Sequence, residues 1–290
     1  MIGSLILNLI FSWFFITNSN TALVNSNWQM ISLNPEAKNF VLNSDKGAVL
    51  SVTDRSFLFK KNADKVQPIA SITKLMTALV FLDHNPGWDQ IYEITPSDKI
   101  LGGHLNLFLG DRLKIKDLFY TSLIASDNGA TIALVHATGL SEKDFVSEMN
   151  KKAAELKLLK TKFSDPIGLS DNNVSTAEEV TWLAKEAFSR KEIRETTTNS
   201  NYEFTTEGGK DIKIESTDNL LFDSAPGPWQ LLGGKTGYTD QAGYCFVGRF
   251  KDNTGRELIS AILGSSGKND RFIESKNLVN WVWQNYRWSK

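Results

Sequence analysis

Cysteine is almost missing from this sequence. Cys245 is the only one in 290 residues, so no disulfide can close within the chain. A disulfide-stapled scaffold and a cysteine-cluster zinc site are both excluded. Histidine is nearly as scarce: His84, His104 and His136 stand apart, none in a His-Glu-x-x-His arrangement, so no metal or other cofactor is expected. A Gly-x-Ser-x-Gly elbow for a Ser-His-Asp hydrolase is also lacking. Charge of one sign is not in excess either. With 32 basic against 33 acidic residues and a net charge of -1, the electrostatic case for a nucleic-acid partner disappears. Lys and Arg are absent before Lys38. The apolar run Ile2 to Ile16 falls short of the ~20 residues of a membrane-spanning helix and has the length of the apolar core of an export signal.

What is present suits a packed globular protein: 41% hydrophobic and 22% charged residues. Residues 1–22 are expected to form a signal peptide or N-terminal membrane anchor. Residues 23–37 are polar and Asn-rich and read as a linker. Residues 38–290 read as one globular domain. Strands are expected at Phe40–Leu42, Ala48–Leu50 and Phe57–Phe59, with a turn at Asp45–Gly47. Helical spacing follows: Ile72, Leu75, Met76, Leu79, Val80 and Leu82 share a face after Ser71, and similar faces recur across 113–125, 130–137 and 141–159. Thr176 to Glu179 carries a capping-box signature for a helix reaching Phe188. Trp229–Leu232, Tyr244–Phe250 and Glu257–Leu263 read as strands, with a hairpin loop at Asn253–Gly255. A closing helix is expected over Phe272–Trp288. Strands at both ends with helices between them predict an α+β fold, in which one sheet is built from the two ends of the chain.

Three short motifs carry the chemistry. In Ser71-Ile72-Thr73-Lys74, residues three apart on a helix share a face, so the lysine amine can reach the serine hydroxyl. The pattern alone is weak, and Ser265-Ser266-Gly267-Lys268 repeats it without an apolar helix attached. A serine needs a base, and lysine serves only when neutral. Moving its pKa from about 10.4 to about 7 costs roughly 4–5 kcal/mol, whereas a helix N-terminus supplies about 0.3–1 kcal/mol. Desolvation and a second cation are therefore required. Gly234-Lys235-Thr236-Gly237 offers that cation. Its phosphate-loop reading fails because Trp229 occupies the place of the required glycine. Ser126-Asp127-Asn128, the third motif, lies between two helical runs and alone would be an ordinary turn.

The order Ser-x-x-Lys, Ser-x-Asn, Lys-Thr-Gly is the set used by class A β-lactamases and penicillin-binding proteins. From about Phe40 to Trp288 the sequence resembles the low-molecular-weight penicillin-binding proteins of the D-alanyl-D-alanine carboxypeptidase family. Pro68 to Ala78, Asp165-Pro166-Ile167-Gly168-Leu169, Ser175-Thr176-Ala177, Gly234 to Thr239 and Ala242 to Cys245 carry the resemblance. The family usually has Ser-Gly-Asn where this chain has Ser126-Asp127-Asn128.

The resemblance implies a β-lactamase/transpeptidase-like fold, an antiparallel sheet flanked by helices with a mostly helical subdomain. It implies a serine-type carboxypeptidase that removes the terminal D-Ala of peptidoglycan stem peptides, with β-lactams as covalent inhibitors. Ser71 would attack, Lys74 would take its proton, Ser126 would relay a proton to the leaving amine, and Asn128 would hold Lys74 and the substrate amide. Lys235 would supply positive charge and Thr236 would bind substrate beside Gly237. The amides of Ser71 and Tyr238 would form the oxyanion hole, and Arg271 would hold a carboxylate. An extracytoplasmic location is implied, with membrane contact only through the N-terminal segment. A DD-endopeptidase and a catalytically idle penicillin-binding protein stay open as alternatives. A β-lactamase would need a deacylating Glu-x-x-Leu-Asn run, and none lies between Asn128 and Lys235.

Overall fold

The computed structural model describes residues 31–98, 106–224 and 227–288; the expected leader and most of the expected linker lie outside them. The chain begins with β1 (Ser32–Leu33), β2 (Lys46–Ser51), β3 (Phe57–Lys61) and β4 (Gln67–Pro68). A 3-10 turn at Ala70–Thr73 leads into α1 (Lys74–Asp83). After β5 (Ile91–Glu93) and β6 (Arg112–Lys114) come α2 (Ile115–Ile124), α3 (Asn128–Ala137) and α4 (Glu142–Glu155). Next are β7 (Val174–Ser175), α5 (Ala177–Ala187), α6 (Lys191–Thr197) and the hairpin β8 (Asn201–Thr205) and β9 (Asp211–Glu215). The last elements are β10 (Trp229–Thr239), β11 (Gly243–Asp252), β12 (Glu257–Ser265), α7 (Asp270–Asn285) and β13 (Tyr286–Arg287).

Five strands form one antiparallel sheet in the order β10-β11-β12-β2-β3, so both ends of the chain do build it. Successive side chains on a strand face opposite ways, and here both faces are buried. Ala48, Leu50, Cys245, Val247, Ile259 and Ala261 enter one core, with α1 and α5. Val49, Phe246, Phe250, Leu258 and Ile262 enter the other, beneath Leu278, Val279 and Val282 of α7. The strands are therefore almost continuously apolar rather than alternating with polar residues, as sheets covered on both faces are.

Several boundaries differ from the sequence reading. Phe40–Leu42 is not a strand; the amides that follow, Asn43 at 2.6 Å and Ser44 at 3.2 Å, bond to the Glu274 carboxylate of α7 instead of to a neighbouring strand. The Trp229–Leu232 strand runs on to Thr239, which places Lys235 inside β10. The closing helix stops at Asn285, and Tyr286–Arg287 pairs with β1. The hairpin β8–β9 was not foreseen, although its alternation was visible. Ile212 and Ile214 pack on Ile124 and Ala125, with Tyr202 and Phe204 beside them. The capping box at Thr176 is half made. Thr176 Oγ1 accepts from the Glu179 amide at 3.1 Å, but the Glu179 carboxylate turns away to the Lys160 amide and Thr161.

Candidate active site

A cleft of about 840 Å³ opens between the end of β10, the 3-10 turn, the turn before α3 and the edge of β9. Ser71, Ser126, Asn128, Thr236, Gly237, Tyr238 and Arg271 all line it. Lys74 and Lys235 sit beneath its floor, 0% and 2% exposed. The structure thus gathers all nine residues singled out in the sequence.

Ser71 does not open an α-helix as expected. It lies in the 3-10 turn, and Lys74 is the first residue of α1. The preceding Ala70 has φ of +47°, a left-handed conformation rare for a residue with a Cβ. Two glycines let neighbouring backbone close on this strained turn. A Cβ on Gly168 (φ +88°) would lie 2.1 Å from the Ala70 carbonyl oxygen, and one on Gly237 would lie 2.7 Å from that of Ile69 and 3.2 Å from the Ser71 nitrogen. The end of β10 therefore runs directly beside the Ser71 amide.

The Lys74 amine has three neighbours: Ser71 Oγ at 3.0 Å, Asn128 Oδ1 at 2.7 Å and the Ile167 carbonyl oxygen at 2.8 Å. Two of the three are acceptors only. A neutral amine would give its two hydrogens to them, which leaves its lone pair for the Ser71 hydroxyl. Burial takes Lys74 down to about 7, against the opposing pull of Asp127 and Asp165. The second cation was expected to act on Lys74. Burial is the leading cause of the fall at Lys74, and at Lys235 repulsion from Lys74 and Arg271 adds to burial. Lys235 lies well below its ordinary value, through burial first and then through the two neighbouring cations.

Ser126 also adopts a left-handed backbone, with φ of +58°. It accepts a hydrogen bond from Lys235 Nζ at 2.8 Å, while Lys235 also donates to the Thr236 carbonyl at 3.1 Å. Thr236 Oγ1 pairs with Thr217 Oγ1 at 2.6 Å. Arg271 donates to the carbonyls of Gly237 at 3.0 Å and Cys245 at 3.3 Å, and its guanidinium lies over the Tyr244 ring. Cys245 is fully buried, and burial pushes its thiol up to about 11, as suits a packing residue. Lys268 of the second Ser-x-x-Lys lies at the exposed rim of the cleft, while Ser265 is buried at the end of β12. No cluster of three metal-ligating side chains exists among the described residues.

Some site residues were not singled out. Asp127 caps α3 by accepting from the Ala130 amide at 2.9 Å, and its other oxygen holds the Asn106 amide and side chain. Its position before an apolar helical run is an N-cap signal, so this role was readable. Asp165 accepts from the amides of Ile167, Gly168 and Ser170 at 2.8, 2.6 and 2.6 Å. It thereby shapes the loop that presents the Ile167 carbonyl to Lys74. Nothing in the sequence marked Thr217, which lies just past the end of β9.

Solved structures share this fold. Penicillin-binding protein D2 of Listeria monocytogenes, in its cefotaxime-bound form, is 34% identical, with a TM-score of 0.73 over 85% of this chain and 99% of that one. The Streptomyces K15 DD-transpeptidase has the same fold at 24% identity, with a TM-score of 0.77 over 86% of this chain and 100% of its own. The fold and the motif set define a serine peptidase of the penicillin-binding kind. The chain belongs to the D-alanyl-D-alanine carboxypeptidase family, whose sequence profile matches residues 37–267. Relatives include a D-alanyl-D-alanine endopeptidase of Haemophilus influenzae, 32% identical over 79% of this chain and 78% of its own length. Another is the D-alanyl-D-alanine carboxypeptidase DacF of Bacillus subtilis, 31% identical over 83% of this chain and 62% of its own length.

Proposed function

We propose that the protein removes the terminal D-Ala from peptidoglycan stem peptides through an acyl-serine intermediate on Ser71. The observation that carries this reading is the Lys74 amine, buried 3.0 Å from Ser71 Oγ with only acceptors as its other partners. Ser71 Oγ attacks the carbonyl carbon of the penultimate D-Ala, and its proton passes to Lys74. The developing oxyanion is held by the amides of Ser71 and Tyr238. The leaving amine takes its proton through Ser126, which Lys235 orients, and departs as D-Ala. Water then attacks the acyl-enzyme and gives a proton to Lys74, which passes it to Ser71 Oγ as the acyl–Oγ bond breaks and the shortened peptide leaves. Asn128 holds the lysine and the substrate amide, and Thr236 binds substrate beside Lys235.

Electrostatics support the assignment of roles. Two lysines in one dry site repel each other, and so titrate as a pair. A substrate carboxylate beside Lys235 and Arg271 favours the proton on Lys235. Repulsion then keeps Lys74 neutral, as a base must be. The same anion recognition fits the carboxylate of a β-lactam, and the Listeria relative has been solved with cefotaxime bound. The reading carries with it an extracytoplasmic location, supported by the apolar run Ile2 to Ile16.

Cleavage of cross-links is a second reading, favoured by the endopeptidase relative. Both reactions pass through the same acyl-enzyme and differ in the leaving amine. The test has two stages. Intact-mass analysis with benzylpenicillin is expected to show one adduct, located on Ser71 by peptide mapping. D-Ala release from a pentapeptide is then compared with cleavage of a cross-linked muropeptide dimer. Faster release from the pentapeptide establishes the carboxypeptidase, and the reverse ratio the endopeptidase. No adduct on Ser71 overturns both.

A further inference from the structure

Behind the Gly-Lys-Thr-Gly strand lies a buried carboxylate that no step above uses. Asp218 is 2% exposed and caps the 3-10 turn Asn219–Phe222, its Oδ1 accepting from the Leu220 amide at 3.0 Å. Its other oxygen, Oδ2, is buried with no hydrogen-bond partner. That oxygen presses on Gly234, where a Cβ would lie only 2.1 Å from it. A side chain at position 234 would have to displace this buried carboxylate. The flanking Thr217 and Asn219 line the cleft, so Asp218 stands one layer behind its wall.

Burial pushes the Asp218 carboxyl up to about 7, and the Leu220 amide, Arg271 from α7 and Lys235 from β10 pull it back, so it is ionised above neutral pH. Arg271 itself has a buried, unpartnered Nε. Of the other charged groups of α7, Asp270 is exposed, Glu274 holds Asn43 and Ser44, and Lys276 pairs with Asp223 at 2.6 Å. Lys74 reaches this group through its repulsion of Lys235. Three cations thus crowd one desolvated region, with one carboxylate set against the middle of them.

We infer that Asp218 is a positioning residue for carboxylate recognition: its charge, applied from behind Gly234, holds the proton on Lys235 between Lys74 and Arg271. Burial and two neighbouring cations drive that proton off, and Asp218 opposes them. An ionised Asp218 and a protonated Lys235 share one proton, so the pair releases it at higher pH than a lone Lys235 would. Without Asp218 the cleft loses a positive charge at lower pH, and its hold on a terminal carboxylate with it.

The inference rests on the acyl-serine reading, and the experiment separates the two. Acylation rates by benzylpenicillin and by its methyl ester, which lacks the carboxylate, are measured by intact mass from pH 6 to 10. The preference for the anion over the ester is expected to decline at high pH in the wild-type protein. In Asp218→Asn the decline should begin about one pH unit lower or more, the effect of removing an opposite charge close by. Asp218→Ser, which keeps a capping oxygen without a charge, should behave alike and serves if the Asn variant folds poorly. A decline at the wild-type pH in both variants, or at a higher pH, overturns the inference and leaves the acyl-serine reading intact. Failure of the wild-type protein to form the Ser71 adduct overturns both. A loss of overall rate without a shift of the pH profile marks Asp218 as merely structural and also overturns the inference.

Discussion

Two Ser-x-x-Lys quartets occupy this chain, and both end up at the same cleft. In the first, Lys74 is buried, its amine within 3.0 Å of Ser71 and fixed by Asn128 and the Ile167 carbonyl. In the second, Ser265 is buried at the end of β12 with its hydroxyl directed to the Gly267 carbonyl at 3.4 Å, and Lys268 stands exposed at the rim. Letter pattern and proximity to the cleft are shared; desolvation and a helical register are not. Desolvation lowers a lysine enough to make it a base, and the helix start puts positions i and i+3 on one face. The chemistry therefore lies in the surroundings of the quartet rather than in the quartet.

The largest difference between the two is expected at the serines. Ser71→Ala should abolish the penicillin adduct and cut peptide turnover by roughly 10⁴-fold or more, whereas Ser265→Ala should acylate at the wild-type rate; intact mass and D-Ala release read both. The lysines come next. Lys74→Ala should cost about 10²–10⁴-fold in acylation, the range for loss of a positioned base. Lys74 falls to about 7 in the folded protein. Below that pH it is protonated and has no lone pair to receive the Ser71 proton. The acylation rate should thus rise about tenfold per unit up to about pH 7 and level off above it. A rate that climbs unchanged to pH 10 would mean that Lys74 is not the base.

Glycines sharpen the contrast in the same way. A Cβ at Gly168 would strike the Ala70 carbonyl oxygen, which is fixed backbone, and φ there is +88°. In the second quartet, a Cβ at Gly267 would meet Asp270 Oδ2 at 2.2 Å, the free end of an exposed side chain. Gly168→Ala should lower stability by about 1–3 kcal/mol, the scale of strained backbone, and slow acylation by displacing the Ser71 turn. Gly267→Ala should change neither. Thermal unfolding and the adduct-formation rate check this pair.

Much of this was legible in the sequence. Apolar runs marked the central strands, helical spacing marked α1 and α5, and the motif order marked the cleft. What was hidden depended on contacts between distant segments. Phe40–Leu42 reads as a strand because Phe, Val and Leu suit one, yet Glu274, more than 200 residues away, takes the neighbouring amides. Lys235 reads as lying beyond a strand because Gly233 and Gly234 interrupt the apolar run. In the structure those glycines belong to β10, where Phe188 and Asp218 crowd any side chain they would carry. The hairpin β8–β9 shows in the sequence only as alternation around Gly208-Gly209, a weaker signal than the apolar runs of the central strands because half of its side chains face solvent. Asp218 had no local signal, since its partners Lys235 and Arg271 are brought to it only by the fold.

The smallest effect belongs to Lys268, and it tests whether the second quartet contributes anything. Its ammonium sits at the exposed rim of the cleft that Arg271 also lines. An exposed charge acts at a distance through water, so it steers encounter more than it holds the bound ligand. Such an effect decays over about 10 Å at 0.1 M salt and about 3 Å at 1 M. Lys268→Ala should therefore slow acylation by benzylpenicillin only about two- to threefold at low ionic strength, and the difference should vanish in 1 M salt. The methyl ester, which carries no charge to steer, should react equally with both proteins at every salt concentration. A larger loss that persists in high salt would place Lys268 in direct contact with the ligand, and the two quartets would then share one site by function as well as by position.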